Sequence, residues 1–93
     1  MPIYVITIEY TKPMPEVEAA TPGHRAYLKQ LFDEGRIVAS GPFVPRTGGM
    51  LLFRAANAAE VAVVIEADPF QRLGVARYDV REWSPTFGAE RLA

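Results

Sequence analysis

Apolar positions alternate from Ile3 to Tyr10, with Tyr4, Ile6, Ile8 and Tyr10 on one face and Ile3, Val5, Thr7 and Glu9 on the other, which predicts a strand. Both faces stay largely apolar through Thr7, so this strand belongs in the middle of a sheet. A polar, Pro-containing connection follows, in which residues 16–20 add at most a helical turn. Thr21 as N-cap and Pro22 at the first helical position then start a helix. Its apolar residues Tyr27, Leu28, Leu31 and Phe32 recur at helical spacing, and Gly35 closes it as a left-handed cap. Residues Arg36 to Phe43 form a second strand, Gly48-Gly49 lies in a hairpin turn, and Met50 to Arg54 return as the third. Asn57-Ala58-Ala59-Glu60 is an Asn-capped variant of the capping box and opens a helix whose buried stripe is Val61, Ala62, Val64 and Ile65. That helix ends near Ala67, because Pro69 disfavours helical geometry at Asp68. The last strand, Val75 to Trp83, sets Arg77, Asp79 and Arg81 against Ala76, Tyr78 and Val80, an alternation that suits a sheet edge.

The resulting order, β-α-β-β-α-β, predicts an α+β fold: a ferredoxin-like antiparallel sheet of strand order 4-1-3-2, which satisfies the right-handed crossover rule twice. The apolar strands, one and three, fall at its centre, and the charged fourth strand falls at its edge. Chain direction then carries the start of the first helix and the end of the second to one rim of the sheet. His24 and Asp68 meet there, with the loop of residues 44–49 and the connection of residues 11–21. Both helices cover one face, yet the other face of the first strand is also apolar. A face-to-face homodimer is the expected cover.

Size favours the same expectation. A chain of 93 residues is one domain, residues 1–93, and one of this length buries only about 60 to 65% of its unfolded surface. No cysteine is present and His24 is the only histidine, so neither disulfides nor a zinc centre reinforces the fold; no metal or cofactor is expected. A formal net charge of -1 points to no strongly acidic or basic partner. Nucleic acid is not expected either: an RNA-binding version of this topology needs basic and aromatic residues in its third strand, where the chain reads Gly49-Met50-Leu51-Leu52-Phe53. Met1-Pro2 leads straight into strand pattern, Glu9 and Lys12 break any apolar run, and no stretch approaches the roughly 18 to 20 apolar residues of a membrane span. The expectation is a soluble cytoplasmic protein with no membrane partner.

The chemistry concentrates in few residues. His24 is the one side chain whose unperturbed charge changes near neutrality, and it shares a helical face with Tyr27, Leu28 and Leu31. At a helix N-terminus the partial positive charge of the backbone favours an uncharged imidazole. Asp68 is either a turn residue or the carboxylate that fixes the tautomer of that imidazole, as a general base requires. Ser40 either turns its hydroxyl toward the pocket or satisfies an edge amide. Arg25 and Arg46 either bind a substrate carboxylate or stay solvated. Tyr10, Tyr27, Phe43, Phe70 and Trp83 either line a cleft at the rim or belong to the core.

His24-Arg25-Ala26-Tyr27-Leu28, Gly35, Ser40-Gly41-Pro42, Gly48-Gly49, Asp68-Pro69-Phe70 and Val80-Arg81-Glu82-Trp83 occur in this order across nearly the whole chain. In this the chain resembles the YciI-like family, the YCII-related domain. The resemblance implies a dimeric α+β barrel with a pocket in each protomer, a His-Asp pair at His24 and Asp68, and a serine at Ser40. It also implies proton transfer on small ring compounds, in the manner of muconolactone isomerase-like or dehydrochlorinase-like proteins. Pro22-Gly23 is the departure, since it interrupts a stretch that is often continuous helix in relatives. Two functions follow as expectations. One is a cofactor-independent isomerase or lyase in which His24 moves a proton, Asp68 orients it, and Ser40, Arg25 or Arg46 holds the substrate beside Tyr27 and Phe70. The other is a non-catalytic dimeric domain that binds a small metabolite.

Overall fold

Antiparallel pairing of β1 (Ile3–Tyr10) with β3 (Gly48–Arg54) on one side and β4 (Ala76–Trp83) on the other makes the centre of a four-stranded sheet. The second strand, β2 (Ile37–Pro42), pairs with β3 at the edge, so the order is β2-β3-β1-β4, as expected. These elements belong to a computed structural model that describes residues 1–92. Helices α1 (Met14–Asp33), α2 (Ala58–Glu66) and the short α3 (Pro69–Arg72) complete the α+β fold, with a closing 3-10 turn at Ala89–Leu92.

Register decides which side chains meet. Ile6 faces Leu51 on one neighbour and Val80 on the other, and with Tyr4, Ile8 and Phe53 it forms the sheet's contribution to the core. Val17, Ala20 and Leu31 of α1 and Val61 and Val64 of α2 close over them. Gly48 is required where β3 meets β1: a Cβ there would stand 1.8 Å from the Ile8 carbonyl oxygen. Asn57 caps α2 as its sequence indicates, its side chain accepting from the Glu60 N–H at 3.0 Å. On the opposite face of the sheet Val5, Thr7 and Leu52 are only half-buried, and Met50 and Trp83 are exposed.

The first helix corrects the sequence reading. It starts at Met14, not after Thr21, and Pro22 lies inside it. Proline in a helix interior costs about 3 kcal/mol, because it removes an N–H and crowds the preceding turn. Here the first half of α1 carries Val17 and Ala20, both buried and in line with His24 and Leu31, so interrupting the helix at Thr21 would unpack part of the core. The Thr21 hydroxyl does not cap a helix start; it donates to the Val17 carbonyl one turn back, at 2.7 Å. The Pro13-Met14-Pro15 segment supplies the true start, with a proline in the first turn. His24 therefore sits well inside the helix, beyond the reach of its N-terminal charge, which fades within the first turn.

Candidate active site

Asp68 follows α2 and is extended (φ -70°, ψ 129°), as the residue before Pro69 must be; it becomes the N-cap of α3. Its Oδ1 accepts the Phe70 N–H at 2.9 Å. The same oxygen lies 2.8 Å from His24 Nδ1, and both side chains are buried. A carboxylate oxygen already accepting from an amide calls for a donor at Nδ1, so the imidazole carries its proton there and leaves Nε2 with the lone pair. Phe70, which α3 turns inward, stacks flat on the imidazole with ring centroids 3.8 Å apart and planes at 5°. Tyr10 meets Phe70 edge-on, with ring centroids 5.8 Å apart. One hydrogen bond and one stacked ring thus fix the orientation of His24.

The imidazole forms part of the wall of a cavity of about 220 Å³ between α1, the β2-β3 hairpin and α3. Phe70, Tyr10 and Leu28 give it apolar walls, and Ser40, Arg25 and Arg46 supply polar groups. Arg46 Nε donates to the Tyr10 hydroxyl at 3.2 Å, its Nη2 donates to Thr21 Oγ1 at 3.4 Å, and the guanidinium lies 5.7 Å from the Tyr10 ring centroid. Arg25, Ser40 and Arg46 are all exposed. Among the residues expected at the site, the fold brings His24, Asp68, Ser40, Arg25, Arg46 and Phe70 together. Tyr27 is not brought there: its hydroxyl donates to the Val64 carbonyl at 2.7 Å and ties α1 to α2.

Two residues escaped the sequence reading. Thr21 lines the cavity from within α1. Tyr78 has a buried hydroxyl without a hydrogen-bond partner among the described residues. Burial, and then the neighbouring Asp68 carboxylate, hold the Tyr78 proton in place far above the ordinary phenol range. In sequence Tyr78 is only the apolar-side member of an alternating strand, and nothing local marks its neighbourhood with Asp68. Among the described residues no three His, Cys, Asp or Glu side chains gather as metal ligands would, and no helix is long and apolar enough to cross a membrane.

Comparison with known proteins agrees with this architecture. Residues 3–84 match the family model of the YCII-related domain. The uncharacterised protein YjpA of Bacillus subtilis is 34% identical over 61 residues, which are 66% of this chain and 72% of YjpA. Among solved structures, the 5-chloro-2-hydroxyhydroquinone dehydrochlorinase of Burkholderia phenoliruptrix, in complex with 2,5-dihydroxybenzoquinone, superposes with a TM-score of 0.80 at 24% identity, over 91% of this chain and 96% of its own. An antibiotic biosynthesis monooxygenase superposes with a TM-score of 0.57 at 17% identity, over 90% and 98% of the two chains. Both neighbours have the dimeric α+β barrel fold.

Proposed function

The chain belongs to the family of YCII-related domains, and on that footing we propose that it is an enzyme that moves a proton on a small, cyclic organic substrate with its own side chains. The observation that carries this reading is the 2.8 Å contact between His24 Nδ1 and Asp68 Oδ1, made by an imidazole that is itself cavity wall. Asp68 holds the proton on Nδ1, so Nε2 is the general base. In isomerisation Nε2 takes a proton from one ring atom and returns it to another. In elimination it takes the proton from carbon, the C–H electron pair becomes the new double bond, and the leaving group departs with its own electrons. The charge that develops on substrate oxygen falls to the Ser40 hydroxyl or to an arginine at the cavity wall.

Ring-sized substrates suit the space. An apolar cavity of about 150 Å³ holds benzene, and the volume here is about 220 Å³. The dehydrochlorinase that shares the fold was solved with a single-ring quinone bound, which supports the same class of ligand for this chain.

The test is exchange of carbon-bound hydrogen for deuterium, followed by NMR over a panel of ring lactones and halogenated ring phenols and acids. The wild type should exchange at least one of them. His24→Gln and Asp68→Asn, shown folded by circular dichroism, should be slower by about a hundredfold or more, the usual contribution of a general base. Asparagine is a good N-cap, so Asp68→Asn alters the carboxylate while keeping the start of α3. Undiminished exchange in folded His24→Gln would overturn the assignment. Ring compounds that bind the wild type without any exchange would favour the metabolite-binding domain.

A further inference from the structure

We propose that the substrate of this cavity carries an anionic oxygen group, a carboxylate or phenolate on the ring, and that Arg46 recognises it. The inference rests on the proton-transfer reading only for where the ligand sits; the charge of that ligand is argued from the walls. Those walls contain Arg25 and Arg46 and not one aspartate or glutamate. The protein as a whole has a formal net charge of -1, so the cavity is positive against the trend of the molecule. The Asp68 carboxylate is buried, hydrogen-bonded to His24 and to the Phe70 amide, and is not itself part of the wall.

Arg46 differs from a solvated surface arginine in how it is held. Its Nε and Nη2 are engaged by the hydroxyls of Tyr10 and Thr21, and its plane is drawn to the Tyr10 ring. These partners are neutral. They fix the side chain without compensating its charge, and among the described residues Arg46 has no ion-pair partner within 4.0 Å. A guanidinium anchored on one edge presents its remaining N–H groups in a fixed fork, the arrangement that takes a carboxylate through paired charge-assisted hydrogen bonds. The three anchoring elements are far apart in sequence: Tyr10 ends β1, Thr21 is in α1, and Arg46 is in the hairpin loop. A ring seated among Phe70, Tyr10 and Leu28 would then lie between the imidazole and the guanidinium. The base would act on one side of the ring, and its anionic substituent would be held on the other.

The experiment compares each acid with its uncharged isostere. Calorimetric titrations with benzoate and 2-hydroxybenzoate, against benzamide and 2-hydroxybenzamide, should show the wild type preferring the acids by about tenfold, the scale of a charge-assisted hydrogen bond in a part-enclosed site. The preference should shrink as salt rises. In Arg46→Gln, which removes the charge and leaves a shorter, neutral polar side chain, acid and amide should bind alike, at the affinity of the amide for the wild type. Arg46→Lys should keep part of the preference, and Arg25→Ala most of it. Equal binding of acids and amides by the wild type would overturn the inference, as would a preference that survives Arg46→Gln or disappears only in Arg25→Ala. The same titrations on His24→Gln separate the two readings. A retained preference for acids supports the anion site whether or not the protein catalyses. Proton exchange in the wild type without any such preference sinks the anion site alone.

Discussion

Tyr78 shows how a single side chain can sit against the general rule that buried polar atoms find partners. Its hydroxyl is buried with no partner of good hydrogen-bond geometry among the described residues, yet it lies beside the Asp68 carboxylate, which strengthens its hold on the proton. Tyr78→Phe removes the oxygen and keeps the ring, and because no well-formed hydrogen bond is lost, the variant should stay within about 1 kcal/mol of the wild type in urea titrations at neutral pH. The pH dependence follows from the same environment. Burial first, and then the Asp68 carboxylate, raise the Tyr78 proton affinity from an ordinary pKa of 10.0. Tyr27 is raised in the same direction, again chiefly by burial. Above that ordinary value the unfolded chain releases phenol protons that the folded chain retains, so folding stability is intact below about pH 10 and declines as pH climbs further. Thermal unfolding between about pH 9 and 11 should show this decline, and Tyr78→Phe should flatten it.

At the scale of elements, Pro22 is the position where local signal and tertiary demand conflict. Thr21-Pro22 is a sound helix start on its own terms, and the helix runs through it because Val17 and Ala20 are needed in the core. Because the helix is continuous, Pro22→Ala restores the missing N–H toward the Glu18 carbonyl and should stabilise the fold by about 1–2 kcal/mol, after the entropy that proline removes from the unfolded chain is allowed for. Unchanged or reduced stability by thermal melting would return Pro22 to the first turn. The rest of the fold was legible where patterning is strong. The alternation in β1, the Asn57 cap and the hydrophobic ranking of strands were enough to give the sheet order. Convergence of His24 with Asp68 follows from chain direction, and it holds although the helix starts at Met14, ten residues before His24. Neither α3 nor the second role of Asp68 as its cap could be read in advance, since four residues, Pro69–Arg72, are too few to show a helical period. The sequence leaves Tyr27 open between a cleft at the rim and the core, because it does not show that the Tyr27 hydroxyl reaches the Val64 carbonyl.

Over the whole molecule, the sheet face away from the helices is the unfinished part of the structure. Val5 and Leu52, paired across β1 and β3, stand half-buried there beside the exposed Met50 and Trp83. A chain of 93 residues has little core to spare. On our reading two copies meet through this face. The wild type should sediment as a dimer, and Leu52→Glu, which places a charge at the middle strand of that face, should sediment as a monomer and unfold at lower temperature. A wild type that remains monomeric at the highest concentrations reached would remove the dimer from the account.

One oxygen atom of Asp68 joins the backbone to the chemistry: the amide that begins α3 and the ring nitrogen of His24 both converge on Oδ1. Whatever frays the first turn of α3 therefore also unclamps the imidazole. The protection of a single backbone proton, that of Phe70, should report how often the base is correctly aimed. Hydrogen-exchange NMR on variants of α3 should find that those with the fastest Phe70 exchange are also the slowest at moving protons on substrate.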